Sequence, residues 1–318
     1  MCKNLISDKI ALASQWVAPK ILDLNSIQKG DMPGDKISID ENHLKKAEKI
    51  FPELLKLLVP VFNNQSNQKA VISVHGGSGV GKSETGSLLA YYFNNMNIGS
   101  YILSGDNYPH RIPKYNDAER LSVFRESGIK GLVARGEYNS ERNDKLKELQ
   151  ESGNDSNSEY FKEFPWLEVY KEEGIKGLKN YLGTNNEIDF SELSNIIAQF
   201  KNGTENIMLK RMGREENELW YDSVDFSNTN VLIIEWTHGN NPNLEGVDIP
   251  ILLNSTPKET LEHRRSRNRD GAIDSSFTMM ILEIEQGKLV SQAHNAKIIL
   301  TKNGDIISFE EYTKLMEE

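Results

Sequence analysis

The sequence predicts a doubly wound α/β fold: a three-layer sandwich with helices on both faces of a mostly parallel, five-stranded sheet. Two observations carry this expectation. Residues 71–90, VISVHGGSGVGKSETGSLLA, read as an apolar β-branched strand, a glycine-rich loop and a helix in direct succession. Further short apolar runs at 100–103, 230–236, 249–254 and 297–300 alternate with stretches of helical periodicity. The longest of them, 230–236, is apolar without interruption from Val231 to Ile234 and ends on an acid, as a buried parallel strand would.

The loop Gly76-Gly77-Ser78-Gly79-Val80-Gly81-Lys82-Ser83 satisfies G-x-x-x-x-G-K-[ST] in the strand–loop–helix context that this pattern requires. Glycines let successive backbone N–H groups turn towards one phosphate, and the helix N-terminus adds partial positive charge. Gly77, Ser78, Gly79, Val80, Gly81, Lys82, Ser83 and Glu84 are therefore the candidate nucleotide-binding residues. Lys82 is expected to reach the β- and γ-phosphates of ATP, and Ser83 to offer its hydroxyl to Mg²⁺. The fold class is thereby narrowed to the P-loop NTPase type, with an N-terminal helical extension and a helical insertion.

In chain order, residues 1–69 form the extension and 70–318 the main domain. Residues 7–21 are helix-permissive, and Gly30-Asp31-Met32-Pro33-Gly34 is a loop. Leu44, Ala47, Phe51, Leu54, Leu55, Leu58 and Phe62 recur at helical spacing, so 42–62 predicts a helix packed on the side of the main domain. Pro52 either kinks that helix or begins a second one. The polar run 63–68 marks a boundary. Residues 112–206 are the helical insertion, with helices expected over 117–132, 140–150, 160–181 and 191–200. Within it ESGIKGL (126–132) is echoed by EEGIKGL (172–178), which is either coincidence or one helix solution used twice. Residues 207–211 and 218–224 suggest a hairpin. Helices are expected from Thr256-Pro257 to 267, over 276–289 and over 308–316.

Composition bounds the rest. The 318 residues carry 47 acidic against 37 basic side chains, a net charge of −10, which argues against nucleic acid or an anionic membrane as main partner. A single cysteine, Cys2, excludes an intramolecular disulfide and suits a reducing cytoplasm. No stretch approaches a membrane span, and the N-terminus lacks the apolar core of a signal peptide. A homo-oligomer is compatible with the chain.

Three constellations carry chemistry beyond the loop. Asp106 follows the second strand directly, where open α/β sheets place ligand-contacting residues, and could take the proton of an acceptor hydroxyl. The same Gly-Asp-Asn-Tyr-Pro surroundings also suit a turn cap. Glu235 ends the third strand and could orient Mg²⁺, or simply mark a solvated strand end. Arg264, Arg265, Arg267 and Arg269 put four guanidinium groups within six residues, a lid able to neutralise a transferring phosphate. Tyr108, Arg111 and Arg211 are candidates for the acceptor. The six histidines show no metal-ligand spacing, and no G-x-S-x-G elbow supports a hydrolase.

Together these residues resemble the P-loop small-molecule kinases of the uridine kinase and phosphoribulokinase group. GGSGVGKS is similar to that group's loop, Asp106-Asn107-Tyr108 to its Asp-x-Phe-Tyr segment, VLIIEWTHG to its strand ending in Glu-Gly, and RRSRNRD to its arginine lid. The resemblance covers about residues 70–111 and 206–301. It implies phosphoryl transfer from ATP to a hydroxyl, with Lys82, Asp106, Glu235, Arg264 and Arg267 as catalytic residues, Arg265 on the nucleotide, and Ser83 and Glu235 on the metal. Trp236 stands where the group has Gly, Glu84 replaces a second hydroxyl residue, and the insertion has no counterpart. Leu103-Ser104-Gly105-Asp106-Asn107 is also similar to the Asp-Gly-Asp-Asn segment of adenylylsulfate kinases, in chains much shorter than this one.

The sequence therefore points to a cytoplasmic, Mg²⁺- and ATP-dependent kinase of a small hydroxyl-bearing metabolite. An adenylylsulfate kinase is the alternative within the class. An ATP-hydrolysing regulatory switch is the alternative outside it.

Overall fold

The computed structural model describes residues 6–11, 16–21, 23–256, 258–261 and 275–317. Its centre is a six-stranded sheet. Strands β1 (Ala70–Gly76), β2 (Ser100–Ser104), β5 (Val231–Glu235), β6 (Ile249–Leu253) and β7 (Ile298–Leu300) run parallel in the order β2-β5-β1-β6-β7. A short β8 (Ile306–Ile307) adds antiparallel to β7 at the edge. The five parallel strands match the expectation. Two residues of β8 are too few to leave a periodic signal, so the sixth strand was invisible in the sequence.

β1, β5 and β6 are buried along their whole length, which is why they carry no polar alternation. The register sets Val74 beside Glu235 and Leu103 beside Ile234, so β1, β2 and β5 end at one level. One face of the sheet is covered by α3 (Lys82–Asn95) and by α2 (Glu41–Asn63). Phe51, Leu54, Leu58 and Phe62 of α2 share one core with Leu88 and Phe93 of α3 and Ile72 of β1. The boundary expected at residue 69 thus falls inside one packed unit. Both prolines of α2, Pro52 and Pro60, lie within a single helix, so neither starts a new one. Its start is fixed by Asp40, whose carboxylate accepts from the backbone N–H of Asn42 and His43, while Asp40 N–H reaches His43 Nδ1. The other face is covered by Phe190, Leu193 and Ile197 of α7 (Phe190–Lys201), packed with Ile234 and Trp236.

The insertion comprises α4 (Pro113–Ala134), α5 (Ser140–Glu151), α6 (Trp166–Tyr181) and α7, followed by a hairpin of β3 (Asn206–Met212) and β4 (Leu219–Asp225). Residues 158–162 form a 3₁₀ turn rather than the start of α6, because Pro165 interrupts the helix there. The echoed heptapeptides are the contact between α4 and α6. A Cβ on Gly128 would lie 2.5 Å from the Tyr170 ring, and one on Gly174 would lie 2.5 Å from the Phe124 ring. Each aromatic stands four residues before the other glycine, so the crossing is reciprocal. Helices α8 (Ser276–Gln292) and α9 (Phe309–Glu317) complete the fold. The expected helix from Thr256-Pro257 to 267 lies mostly outside the described residues, with Arg264, Arg265 and Arg267 of the arginine lid.

Candidate active site

The site assembles where β1, β5 and β2 end. Gly81 adopts φ +91° as the N-cap of α3, a conformation that strains any side chain, and a Cβ there would also meet His43 of α2 at 2.7 Å. Lys82 folds its ammonium back on the Gly77 carbonyl at 2.9 Å. Ser83 Oγ donates to Glu235 Oε2 at 2.9 Å, and Ser104 Oγ donates to Glu235 Oε1 at 2.7 Å. Burial pushes the Glu235 carboxyl up to about 8, and the Asp106 carboxylate adds to that shift. Glu84, expected on the nucleotide, is instead buried, with Ser38 N–H at 3.4 Å from its Oε1.

Asp106 is exposed in a 3₁₀ turn, Gly105–Asn107, directly after β2. Two contacts fix that turn. Gly105 backs onto Trp236, where a Cβ would lie 2.0 Å from the indole, so the tryptophan in place of the usual glycine is matched by a glycine opposite. Asn107 is buried, donating to Asp31 and accepting from Met212 N–H.

Asp31 left no signal in the sequence beyond lying in a loop. It is nearly fully buried and accepts from Ser104 N–H at 2.7 Å, Tyr101 Oη at 3.1 Å and Arg211 at 2.8 Å. Burial raises its carboxyl to about 6, with Arg211 opposing the shift. Arg211 and Tyr108, expected on the acceptor, have other surroundings. The Arg211 guanidinium is engaged by Asp31, Asp222 and Tyr101, and Tyr108 is sealed in the core with Leu103 and Phe190. Neither offers a surface to a ligand. Arg111 is half-exposed, between the Tyr181 hydroxyl and Glu119.

A second charged cluster borders the site. Residues 108–110 run beside 187–189, with His110 N–H donating to the Glu187 carbonyl and Asp189 N–H to that of Tyr108. This brings in Glu187, 1% exposed, which accepts from Arg120 at 2.7 Å, Asn116 at 3.1 Å and Gly183 N–H at 2.6 Å. Arg120 also faces Glu285 of α8 at 3.6 Å. Burial holds His238 down at about 4, a neutral imidazole, against the opposing pull of Glu187. Lys82 and Asp106 both act on Glu285, whose carboxyl burial raises, so cluster and loop form one electrostatic unit. Arg120, Glu187, His238 and Glu285 come from four separate segments, and only His238 falls in a stretch the sequence singled out, VLIIEWTHG, where Glu235 drew the attention.

A parallel sheet with its first strand central, and a G-x-x-x-x-G-K-S loop joining that strand to a helix, define a P-loop α/β fold. Over 263 residues, 83% of its length, the chain is 37% identical to the bifunctional α-galactosidase/sucrose kinase AgaSK of Mediterraneibacter gnavus. It spans only 23% of that relative. No family model matches. Among solved structures, a candidate fructose transport system kinase from Silicibacter sp. TM1040 is 15% identical with TM-score 0.43, covering 77% of this chain and 95% of the other. A candidate uridine kinase from Bacillus stearothermophilus is 13% identical with TM-score 0.35, covering 79% and 98%.

Proposed function

We propose that this chain transfers the γ-phosphate of ATP to a hydroxyl of a neutral sugar. The observation that carries the reading is convergence: Lys82, Ser83, Glu235 and Asp106, from three neighbouring strand ends, share one site beside a second polar cluster. Lys82 neutralises the phosphates. Asp106 accepts the proton of the acceptor hydroxyl as its oxygen bonds to the γ-phosphorus and the bond to the β-phosphate oxygen breaks, releasing ADP.

The Ser83 hydroxyl and Glu235 are hard oxygen donors, and Glu235 and Asp106 repel each other, so a cation suits the space they share. No group of three His, Cys, Asp or Glu metal ligands exists among the described residues. Mg²⁺ in kinases rests on one or two protein oxygens with the substrate phosphates, and the donor set fits that arrangement. When bound, Mg²⁺ supplies charge neutralisation on the phosphates.

Arg120 and Glu285, the partly exposed members of the cluster, offer a donor and an acceptor to sugar hydroxyls, with Glu187 sealed behind them as the partner that fixes Arg120. Their carboxylates disfavour the dianionic acceptor of an adenylylsulfate kinase. Sucrose, named for the relative, is the first acceptor to test. ATP supply places the reaction in the cytoplasm; no described helix is long and apolar enough to cross a membrane.

The test is ADP release from purified protein with ATP, Mg²⁺ and a panel of sugars, polyols, nucleosides and adenylylsulfate. A sugar should raise release well above background and emerge as its phosphate ester. Slow hydrolysis independent of every acceptor would instead identify a regulatory switch.

A further inference from the structure

The second side of the loop holds a feature that phosphoryl transfer to the acceptor does not use. A cavity of about 470 Å³ opens beside Gly79 and Val80 of the loop. Ser255, after β6, and Lys302 and Gly304, after β7, form its floor, and the N-terminal turns of α2 form its wall. The volume falls within the range of small-molecule sites.

Its position follows from the strand order. β1 lies between β5 and β6, and Glu235 and Asp106 close the site on the β5–β2 side. A triphosphate laid along the loop with its γ end towards Asp106 must carry its nucleoside out on the opposite, β6–β7 side. That is where this cavity lies.

The lining supplies hydrogen-bond donors for such an end. On a chain of net charge −10, the cavity is lined by four lysines (Lys45, Lys46, Lys49, Lys302) against Asp40 and Glu259. Lys49 is taken up by Asp305 at 2.9 Å and Lys302 by Glu259 at 4.0 Å. Lys46 runs its stem past Gly304, where a Cβ would lie 3.4 Å from Lys46 Cγ. Burial lowers the pKa of its ammonium against the opposing pull of Asp40 and Glu259, the mark of a cation drawn partly out of water. One turn earlier, His43 fills the space that a side chain on Gly81 would take, so α2 touches the loop and walls the cavity at once.

We propose that α2 is a working wall of the nucleotide site, with Lys46 donating a hydrogen bond to the nucleoside end of ATP. This rests on the donor reading given above. It makes residues 41–63 part of the donor site rather than a helix merely packed on its side.

The experiment is equilibrium binding of ATP, by displacement of a fluorescent ATP analogue, alongside inorganic tripolyphosphate as the competitor that lacks a nucleoside. Lys46→Ala should weaken ATP roughly tenfold, the loss of one charge-assisted hydrogen bond. It should leave tripolyphosphate affinity and the melting temperature unchanged, and Lys46→Arg should restore most of the loss. Equal weakening of ATP and tripolyphosphate would overturn the proposal, since a damaged loop would do the same. Unchanged ATP binding by Lys46→Ala, with loss in Lys82→Ala, would also overturn it while leaving the donor reading intact. If the wild-type chain binds neither competitor, the donor reading falls and takes this one with it.

Discussion

Ser83 and Glu235, 152 residues apart in the chain, are joined by a hydrogen bond of 2.9 Å between hydroxyl and carboxylate. The contact ties the first turn of α3 to the end of β5, and it gathers two oxygen donors beside the phosphate loop. Removing either donor should damage turnover more than folding. Ser83→Ala and Glu235→Gln are each expected to lower kcat by about a hundredfold, in line with the loss of one transition-state contact. Chelation of Mg²⁺ should abolish activity in the wild type. Steady-state kinetics with circular dichroism separates the two effects.

Asp106 and Lys82 should fail differently. Asp106→Asn removes the proton acceptor from an exposed turn whose shape is held by Gly105 and Asn107, so ATP binding should persist while transfer falls by about 10²–10⁴-fold. Lys82→Ala should weaken both. Calorimetric ATP binding beside an ADP-release assay distinguishes them, and an active Asp106→Asn enzyme would remove Asp106 from the mechanism.

The α4–α6 crossing has no room for a methyl group. Gly128→Ala and Gly174→Ala each force an aromatic ring or a helix to move, at about 1–3 kcal/mol, despite the better helix propensity of alanine. Both should lower the denaturation midpoint. Gly287→Ala in α8, where no neighbour lies within 4 Å, should not.

Asp31 and Arg211 form a buried pair at 2.8 Å. Asp31→Ala leaves the guanidinium with only the half-exposed Asp222 as a charge partner and frees Ser104 N–H and Asn107, at about 3 kcal/mol. The double change Asp31→Ala with Arg211→Met should cost less than Asp31→Ala alone, because the orphaned charge is gone. Urea titration of the two variants gives the comparison.

Acidification sets the buried histidines against the buried carboxyls. Burial holds His75 at about 3 and His238 at about 4, below the ordinary value of 6.5. Between those values the unfolded chain binds protons that the native one refuses, so these two groups lower stability as pH drops from about 6.5 towards 4, each contributing about 1.4 kcal/mol per pH unit. Asp31, raised from 3.8 to about 6, and Glu235, raised from 4.5 to about 8, work in the opposite direction and offset the two histidines over most of that window. Melting temperatures should therefore change little between about pH 6 and 4.5, and His238→Gln, which leaves the raised carboxyls in excess, should make the fold more stable towards acid.

The sequence by itself determined the five parallel strands and the glycine-rich loop with the helix that follows it. These rest on local signals: apolar runs mark strands buried on both faces, and G-x-x-x-x-G-K-S is contiguous because one loop must present several N–H groups to one phosphate. The places of Asp106 and Glu235 were legible because one sits just after its strand and the other ends its strand. Only the tertiary structure decided the partners. Asp31 reads as an ordinary loop acid until Ser104, Tyr101 and Arg211 close around it, and Arg211 reads as a free cation until Asp31 takes it. Arg120, Glu187, His238 and Glu285 become a cluster only when four separate segments meet. The echoed heptapeptide was visible, but its cause, two helices crossing at glycines, lies between segments rather than within either. Burial and pairing depend on what lies across a contact, and sequence periodicity records only what lies along the chain.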